Sequence, residues 1–137
     1  MYDLSNICFI DFKTFNKKDE LLTAYTSNEN IPFKLKRIFI TGNVSAYSNR
    51  GSHAHRETKQ IFVCLYGKID IRCYDGKKKK IYNLTNQGLG LYIPPTIWYD
   101  TIYKAEKNSI MVLADKEYLT EDYILEKNEF ESFRSNS

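Results

Sequence analysis

The chain has 137 residues, enough for one domain with a single core and too few for separate cofactor and substrate domains. Its apolar fraction of 42% and charged fraction of 27% are those of a packed globular protein and exclude wholesale disorder or a fibrous fold. The net charge of +3 is more than accounted for by the run Lys77 to Lys80, which leaves no spread basic face for nucleic acid, and no stretch approaches the roughly 20 apolar residues that cross a bilayer.

Short runs of Ile, Val and aromatic residues, the chemistry that pleated surfaces favour, recur along the chain. Ile7 to Phe12, Leu21 to Thr26 and Lys36 to Thr41 are the first expected strands. Gly42 to Ser52 reads as the one long polar connection, delivering the chain into His53-Ala54-His55. Gln60 to Leu65 and Lys68 to Tyr74 follow, with Gly67 between them as an expected hairpin turn. Asp75-Gly76 then offers a tight turn into Lys79 to Leu84, so the lysine run reads as a solvated hairpin end. Within the middle strand Ile69, Ile71 and Cys73 alternate with Asp70, Arg72 and Tyr74, as a wall with one inner and one wet face requires. Gly90 to Ile93, Ile97 to Tyr103 and Ser109 to Ala114 complete the set. Thr120 is expected to cap a short helix through Asp122, Ile124, Leu125 and Lys127. Arg134 to Ser137 reads as a frayed tail, leaving one domain over residues 1–133. The class is therefore all-β, a sandwich or barrel with one short C-terminal helix.

The three cysteines, Cys8, Cys64 and Cys73, are odd in number, lack CxxC spacing and sit in apolar or alternating segments. They are expected to be buried thiols in a reducing compartment, and with no basic-then-apolar leader in Met1 to Phe12 the expected compartment is the cytoplasm.

His53 and His55 are the two histidines of the chain, and on an extended strand both rings point to one face. That spacing alone is weak. Its surroundings add to it: Gly51 before, Gln60 after, Gly67 at the end of the next strand, and a Gly-Pro segment with an aromatic pair about thirty residues on. This order resembles the cupin superfamily, whose metal-binding members use a His-x-His pair, a Glu and a later His. Here Gln60 stands where the resemblance would put the Glu, and Trp98 or Tyr99 where it would put the last His. Gln and Trp do not readily replace carboxylate and imidazole ligands, so no bound metal is expected.

A more specific resemblance spans residues 31 to 133. Ile31-Pro32-Phe33, Lys36-Arg37-Ile38, Arg50-Gly51-Ser52-His53-Ala54-His55, Cys64-Leu65-Tyr66-Gly67 and Asp75-Gly76, then Gly90-Leu91-Tyr92-Ile93-Pro94-Pro95-Thr96-Ile97-Trp98, Val112-Leu113-Ala114, Asp122-Tyr123-Ile124 and Phe130, are similar to the sugar-nucleotide 3,4-ketoisomerases, the WxcM-like cupins. The resemblance implies a small cupin-type β-barrel, or jelly roll, working as a homodimer without cofactor or metal. It implies a substrate, dTDP-4-oxo-6-deoxyglucose, whose ketone moves from C4 to C3, and a product used for deoxyamino sugars of bacterial surface polysaccharide such as the O-antigen of lipopolysaccharide.

The chemistry is consistent with the residues. A C3 proton beside a C4 ketone is removable if the enediolate is stabilised, and a neutral imidazole is a suitable base. His55 is the expected base, with His53 orienting it or donating to a substrate oxygen. Arg50 is expected on the pyrophosphate or a substrate oxygen, with Arg37 as a second charge contact or a wall ion pair. Gln60 is expected to bind a sugar hydroxyl or fix a histidine tautomer, and Tyr92 and Trp98 to floor the pocket or pack the core. The chain departs from the family where relatives carry Arg-x-Tyr-Tyr: Arg37-Ile38-Phe39-Ile40 has no phenol there, and Tyr47 is the nearest candidate to replace it. Tyr99 stands where some relatives have an imidazole. Alternatives of other classes are a non-catalytic sugar-nucleotide binding module and a metal-dependent cupin enzyme.

Overall fold

The computed structural model describes residues 1–136. Twelve strands form: β1 (Cys8–Asp11), β2 (Thr14–Lys17), β3 (Glu20–Thr23), β4 (Arg37–Gly42), β5 (Asn49–His55), β6 (Gln60–Tyr66), β7 (Ile69–Tyr74), β8 (Lys79–Leu84), β9 (Leu89–Ile93), β10 (Trp98–Tyr103), β11 (Ser109–Ala114) and β12 (Tyr123–Ile124), followed by helix α1 (Lys127–Ser135). They make one five-stranded sheet in the order β1-β9-β6-β11-β4, a second in the order β12-β5-β10-β7-β8, and the separate pair β2-β3.

Alternation along the strands gives each sheet an apolar inner face, and the two faces share one core. Phe62, Cys64, Leu91, Ile93, Ile110 and Val112 come from the first sheet, and Ile69, Ile71, Cys73, Tyr82, Leu84, Tyr99 and Tyr103 from the second. A second cluster lies on the other side of the first sheet, where Phe12, Ile31 and Phe33 cover Ile61, Val63, Met111 and Leu113. Both faces of β6 and β11 are thus buried, which explains why these two strands read as nearly continuous apolar runs while β7 alternates. The third cluster, Ala54, Trp98, Ile124 and Phe130, packs beneath α1, with Phe130 fully buried as the helix anchor.

Several expectations are corrected by this topology. Gly67 does not turn a hairpin: β6 and β7 belong to different sheets, and Gly67 (φ +87°) carries the chain between them, where a Cβ would collide with the Lys107 carbonyl oxygen. The Asp75-Gly76 hairpin between β7 and β8 does form, as a four-residue loop whose Asp75 carboxylate accepts from the Lys77, Lys78 and Leu4 amides. The strand expected at Leu21 to Thr26 is Glu20–Thr23, and its partner Thr14–Lys17 was not expected. The polar connection is shorter than Gly42 to Ser52, because β4 runs to Gly42 and β5 begins at Asn49.

Thr120 caps no α-helix. Thr120–Asp122 is a single 3-10 turn, because Tyr123 and Ile124 are drawn into register with His55 and Ala54 of β5, and tertiary pairing overrides the local helical signal. The helix starts at Lys127 and takes in Arg134 and Ser135, which were expected in a frayed tail. Arg134 donates to the carbonyl oxygens of Tyr2 and Thr96, at 2.6 Å and 2.9 Å. Ser137 lies outside the described residues. Cys64 and Cys73 are buried, but Cys8 is exposed on the edge strand β1. No helix of the described residues is long and apolar enough to cross a membrane.

Candidate active site

Strict alternation along β5 would put Arg50 on the face opposite His53 and His55. The register of β5 against β10 breaks that alternation. Tyr99 faces His53 and Thr101 faces Arg50, so Asp100 alone stands opposite the two residues Gly51 and Ser52. This is a β-bulge, and Gly51 supports it with a left-handed backbone (φ +76°) that a side chain would strain. The extra residue rotates Arg50 onto the face of His53, and both line a cavity of about 250 Å³ between the sheets. Phe39, Phe62, Tyr99, Tyr103 and Tyr123 supply most of its aromatic wall.

His53 borders the cavity directly, whereas His55 lies one layer behind it and is 2% exposed. The Nδ1 of His55 stands 2.8 Å from Oδ2 of Asp122. That carboxylate also accepts from the Thr58 hydroxyl and the Glu57 amide. As an acceptor, Asp122 makes His55 Nδ1 the protonated nitrogen and leaves Nε2 with its lone pair toward Tyr99. The Tyr99 hydroxyl donates to Gln60 Oε1 at 3.0 Å and lies 2.9 Å from His53 Nε2 and 3.4 Å from His55 Nε2. The Tyr123 ring packs against both imidazoles, with centroids 4.9 Å from His53 and 4.3 Å from His55.

Burial, and then the neighbouring His55, pushes the His53 imidazole down to about 4. Burial also lowers His55, against the opposing pull of Asp122. Both rings are therefore neutral near pH 7. Burial works to raise the Asp122 carboxyl, but its Thr58, His55 and Glu57 donors prevail and hold it below the usual range, so it is the charged member of the group.

The other expected residues divide. Gln60 is buried and reaches the cavity through Tyr99, its Nε2 having no hydrogen-bond partner among the described residues. Arg37 lies against the Phe39 and Tyr118 rings and approaches the cavity through the Tyr123 hydroxyl, 3.5 Å from its Nη2, with a buried Nε that has no hydrogen-bond partner among the described residues. Tyr92 and Trp98 do not join them. Tyr92 packs into the cluster outside the first sheet, and Trp98 lies beneath α1 with its ring centroid 5.7 Å from that of Phe130. Tyr47 is 72% exposed and does not line the cavity, whereas Phe39 does.

The sequence reading did not place Asp122 or Tyr123 in the site, and it treated Tyr99 as a departure from the family pattern. Asp122 lies 67 residues from His55, and the pairing of β12 with β5 brings it there. Among the described residues no three His, Cys, Asp or Glu side chains gather as a metal site would need.

A two-sheet barrel with a neutral histidine pair, a buried carboxylate behind it and an arginine at the same wall defines a site for proton transfer on a small polar molecule. The comparisons agree with that class. The family described as FdtA, WxcM-like, C-terminal, matches residues 5–135, and this chain belongs to it. The TDP-4-oxo-6-deoxy-alpha-D-glucose-3,4-oxoisomerase of Aneurinibacillus thermoaerophilus is 32% identical over 124 residues, 90% of this chain and 89% of that protein. The sugar 3,4-ketoisomerase QdtA of Thermoanaerobacterium thermosaccharolyticum, solved in complex with TDP, superposes with a TM-score of 0.93 at 30% identity over 98% of both chains. The TDP-fucose-3,4-ketoisomerase WlaRA of Campylobacter jejuni gives a TM-score of 0.88 at 33% identity over 96% of this chain and 97% of that one.

Proposed function

We propose that this chain is a TDP-sugar 3,4-ketoisomerase that moves the ketone of TDP-4-oxo-6-deoxyglucose from C4 to C3 through an enediolate. The observation that carries the reading is the juxtaposition of His53 and Arg50 on one cavity wall, in a chain whose similar proteins are named for this reaction. At about 250 Å³ the cavity is below the roughly 300–1,000 Å³ of sites that enclose a drug-sized ligand, so it suits a sugar ring with the nucleotide extending outward. Arg50, exposed at that wall, is the donor for the diphosphate.

The assigned roles reverse the expected order of the two histidines. His53 borders the cavity and takes the C3 proton, while His55, behind it, supports the developing charge. The electron pair of the broken C–H bond forms the C3–C4 double bond and the carbonyl π pair moves to the C4 oxygen, for which the Tyr123 hydroxyl, backed by Arg37, is a donor. Return of the proton to C4 and transfer of the hydroxyl proton from O3 to O4 leave the ketone at C3. Gln60 acts by holding Tyr99, and Tyr92 and Trp98 are assigned to packing.

The chain is further proposed to act as one domain over residues 1–133 in the cytoplasm, on the route to deoxyamino sugars of surface polysaccharide. A homodimer is supported by the apolar side chains left exposed on β2, β3 and β4: Phe15, Leu21, Leu22, Ile38 and Ile40.

The test is incubation of the purified protein with TDP-4-oxo-6-deoxyglucose, followed by proton NMR. A new 3-oxo species is expected. TDP binding with no conversion would replace this reading with a binding module.

A further inference from the structure

We propose that the Tyr99 hydroxyl is a proton bridge between the two histidines, so that His53, Tyr99, His55 and Asp122 work as one base rather than as two separate imidazoles. The inference rests on the isomerase reading for its purpose, but its geometry stands on the contacts already described.

Four observations carry it. The phenol is 3% exposed, on the cavity wall, with its oxygen within 3.4 Å of three polar atoms. Because Tyr99 gives its hydrogen to Gln60, the short contact to His53 requires His53 Nε2 to be the donor. Nδ1 of His53 then carries the lone pair, and it has no hydrogen-bond partner among the described residues. On the far side, Asp122 fixes His55 in the opposite tautomer, with the Nε2 lone pair turned to the same phenol oxygen. A hydroxyl rotor thus stands between a donor nitrogen and an acceptor nitrogen.

The relay balances. His53 Nδ1 gains the proton leaving C3. The His53 Nε2–H bond then breaks as a new O–H bond forms on Tyr99, and the original Tyr99 O–H bond breaks as a proton attaches to His55 Nε2. Tyr99 ends neutral, His53 ends neutral as its other tautomer, and the positive charge rests on His55 beside the Asp122 carboxylate. Reversal of both hops frees His53 to return its proton at C4.

The benefit is electrostatic. Burial makes His53 alone a reluctant cation, whereas a charge passed to His55 meets an anion 2.8 Å away. The other charged and titratable groups near the pair are Arg50 on β5, Arg37 on β4, Asp115 after β11 and Tyr123 on β12. Arg37 opposes charge on His55 and Asp115 favours it. Tyr99 acts through the histidines and is a positioning residue for the base.

The experiment combines Tyr99→Phe kinetics with nitrogen-15 NMR of histidine-labelled protein, where two residues give a simple spectrum. In the wild type, His53 is expected as the Nε2–H tautomer and His55 as the Nδ1–H tautomer. Tyr99→Phe is expected to lower kcat by about 10²-fold with KM within about twofold, on the scale of general acid–base terms. It should also reduce a multi-proton solvent isotope effect to a single-proton one, which loss of packing would not do. A kcat within threefold of wild type, or the reverse tautomers in the wild type, would overturn the bridge. If Tyr99→Phe does not fold, the wild-type tautomers decide. A wild type that folds, shows the expected tautomers and leaves the substrate unchanged would defeat the isomerase reading while supporting the bridge.

Discussion

His55 and Asp122 are separated by 67 positions in the chain and by 2.8 Å in space. The contact depends on β12 pairing with β5, since the register that sets Tyr123 opposite His55 brings the preceding carboxylate beneath the ring. Asp122 is thereby the group that determines which nitrogen of His55 is basic. Asp122→Asn keeps one oxygen to accept from Glu57, but puts an NH2 donor where Thr58 and His55 now donate and removes the charge beside the imidazole. The expected result is a fall in kcat of about 10²-fold with a stability loss of about 1–3 kcal/mol, read from steady-state kinetics and chemical denaturation of the same variant.

The buried imidazoles give stability a defined pH dependence. His53 is pushed down to about 4 by burial and His55 is also lowered, against an ordinary value of 6.5. As pH drops through 6.5 the unfolded chain takes up protons that the native state refuses. Stability should therefore fall between about pH 6.5 and 4 and be fully present above that window. His53→Asn should flatten part of this slope in denaturation series at stepped pH. The acid limb of kcat/KM should correspondingly lie below the ordinary imidazole value, and a limb at or above 6.5 would contradict neutral, buried histidines.

Arg50 reaches the cavity because of the bulge, and this can be tested apart from its charge. Arg50→Ala should weaken TDP binding by about tenfold or more, the scale of a lost hydrogen bond to a charged group. Gly51→Ala retains the arginine but strains a backbone at φ +76°, at a cost of about 1–3 kcal/mol. A further weakening of TDP affinity in Gly51→Ala would show that the bulge presents the guanidinium, and unchanged affinity would place the diphosphate elsewhere.

The cysteines give a check on the fold that needs no substrate. Cys64 is buried and raised by burial, and Cys73 is pushed up to about 12 by the same cause, whereas Cys8 is exposed. A thiol reagent should titrate one equivalent in the native protein and three after denaturation. Rapid reaction of two or more native thiols would contradict the packing between the sheets.

How much of this was legible in the sequence depends on the range of the signal. His53 and His55 share a face because a strand has period two, and Asp75-Gly76 turns a hairpin because its backbone permits it; both are local rules. Arg50 was found through its motif, but the same period-two rule would place it on the wrong face, since a bulge leaves no clear alternation to read. Gly67 looked like a hairpin turn because a left-handed glycine serves equally well to cross between sheets. Local composition around Asp122 and Tyr123 favours a helix, but the pairing of β12 with β5 prevails. Tyr92 and Trp98 flank a Pro-Pro turn in sequence, but they point into two different clusters, neither of which borders the cavity.

In the proposed reaction His53, at the cavity wall, exchanges a proton with C3 and C4 of a TDP-4-oxo sugar. The most direct measurement is proton NMR of TDP-4-oxo-6-deoxyglucose in deuterated buffer with wild type, His53→Asn and His55→Asn, each shown by denaturation to be folded. The account predicts loss of the C3 proton and appearance of the 3-oxo sugar with wild type, complete loss of both with His53→Asn, and a residual, slowed conversion with His55→Asn. Conversion by His53→Asn at the wild-type rate, or an unchanged substrate spectrum with the folded wild type, would contradict it.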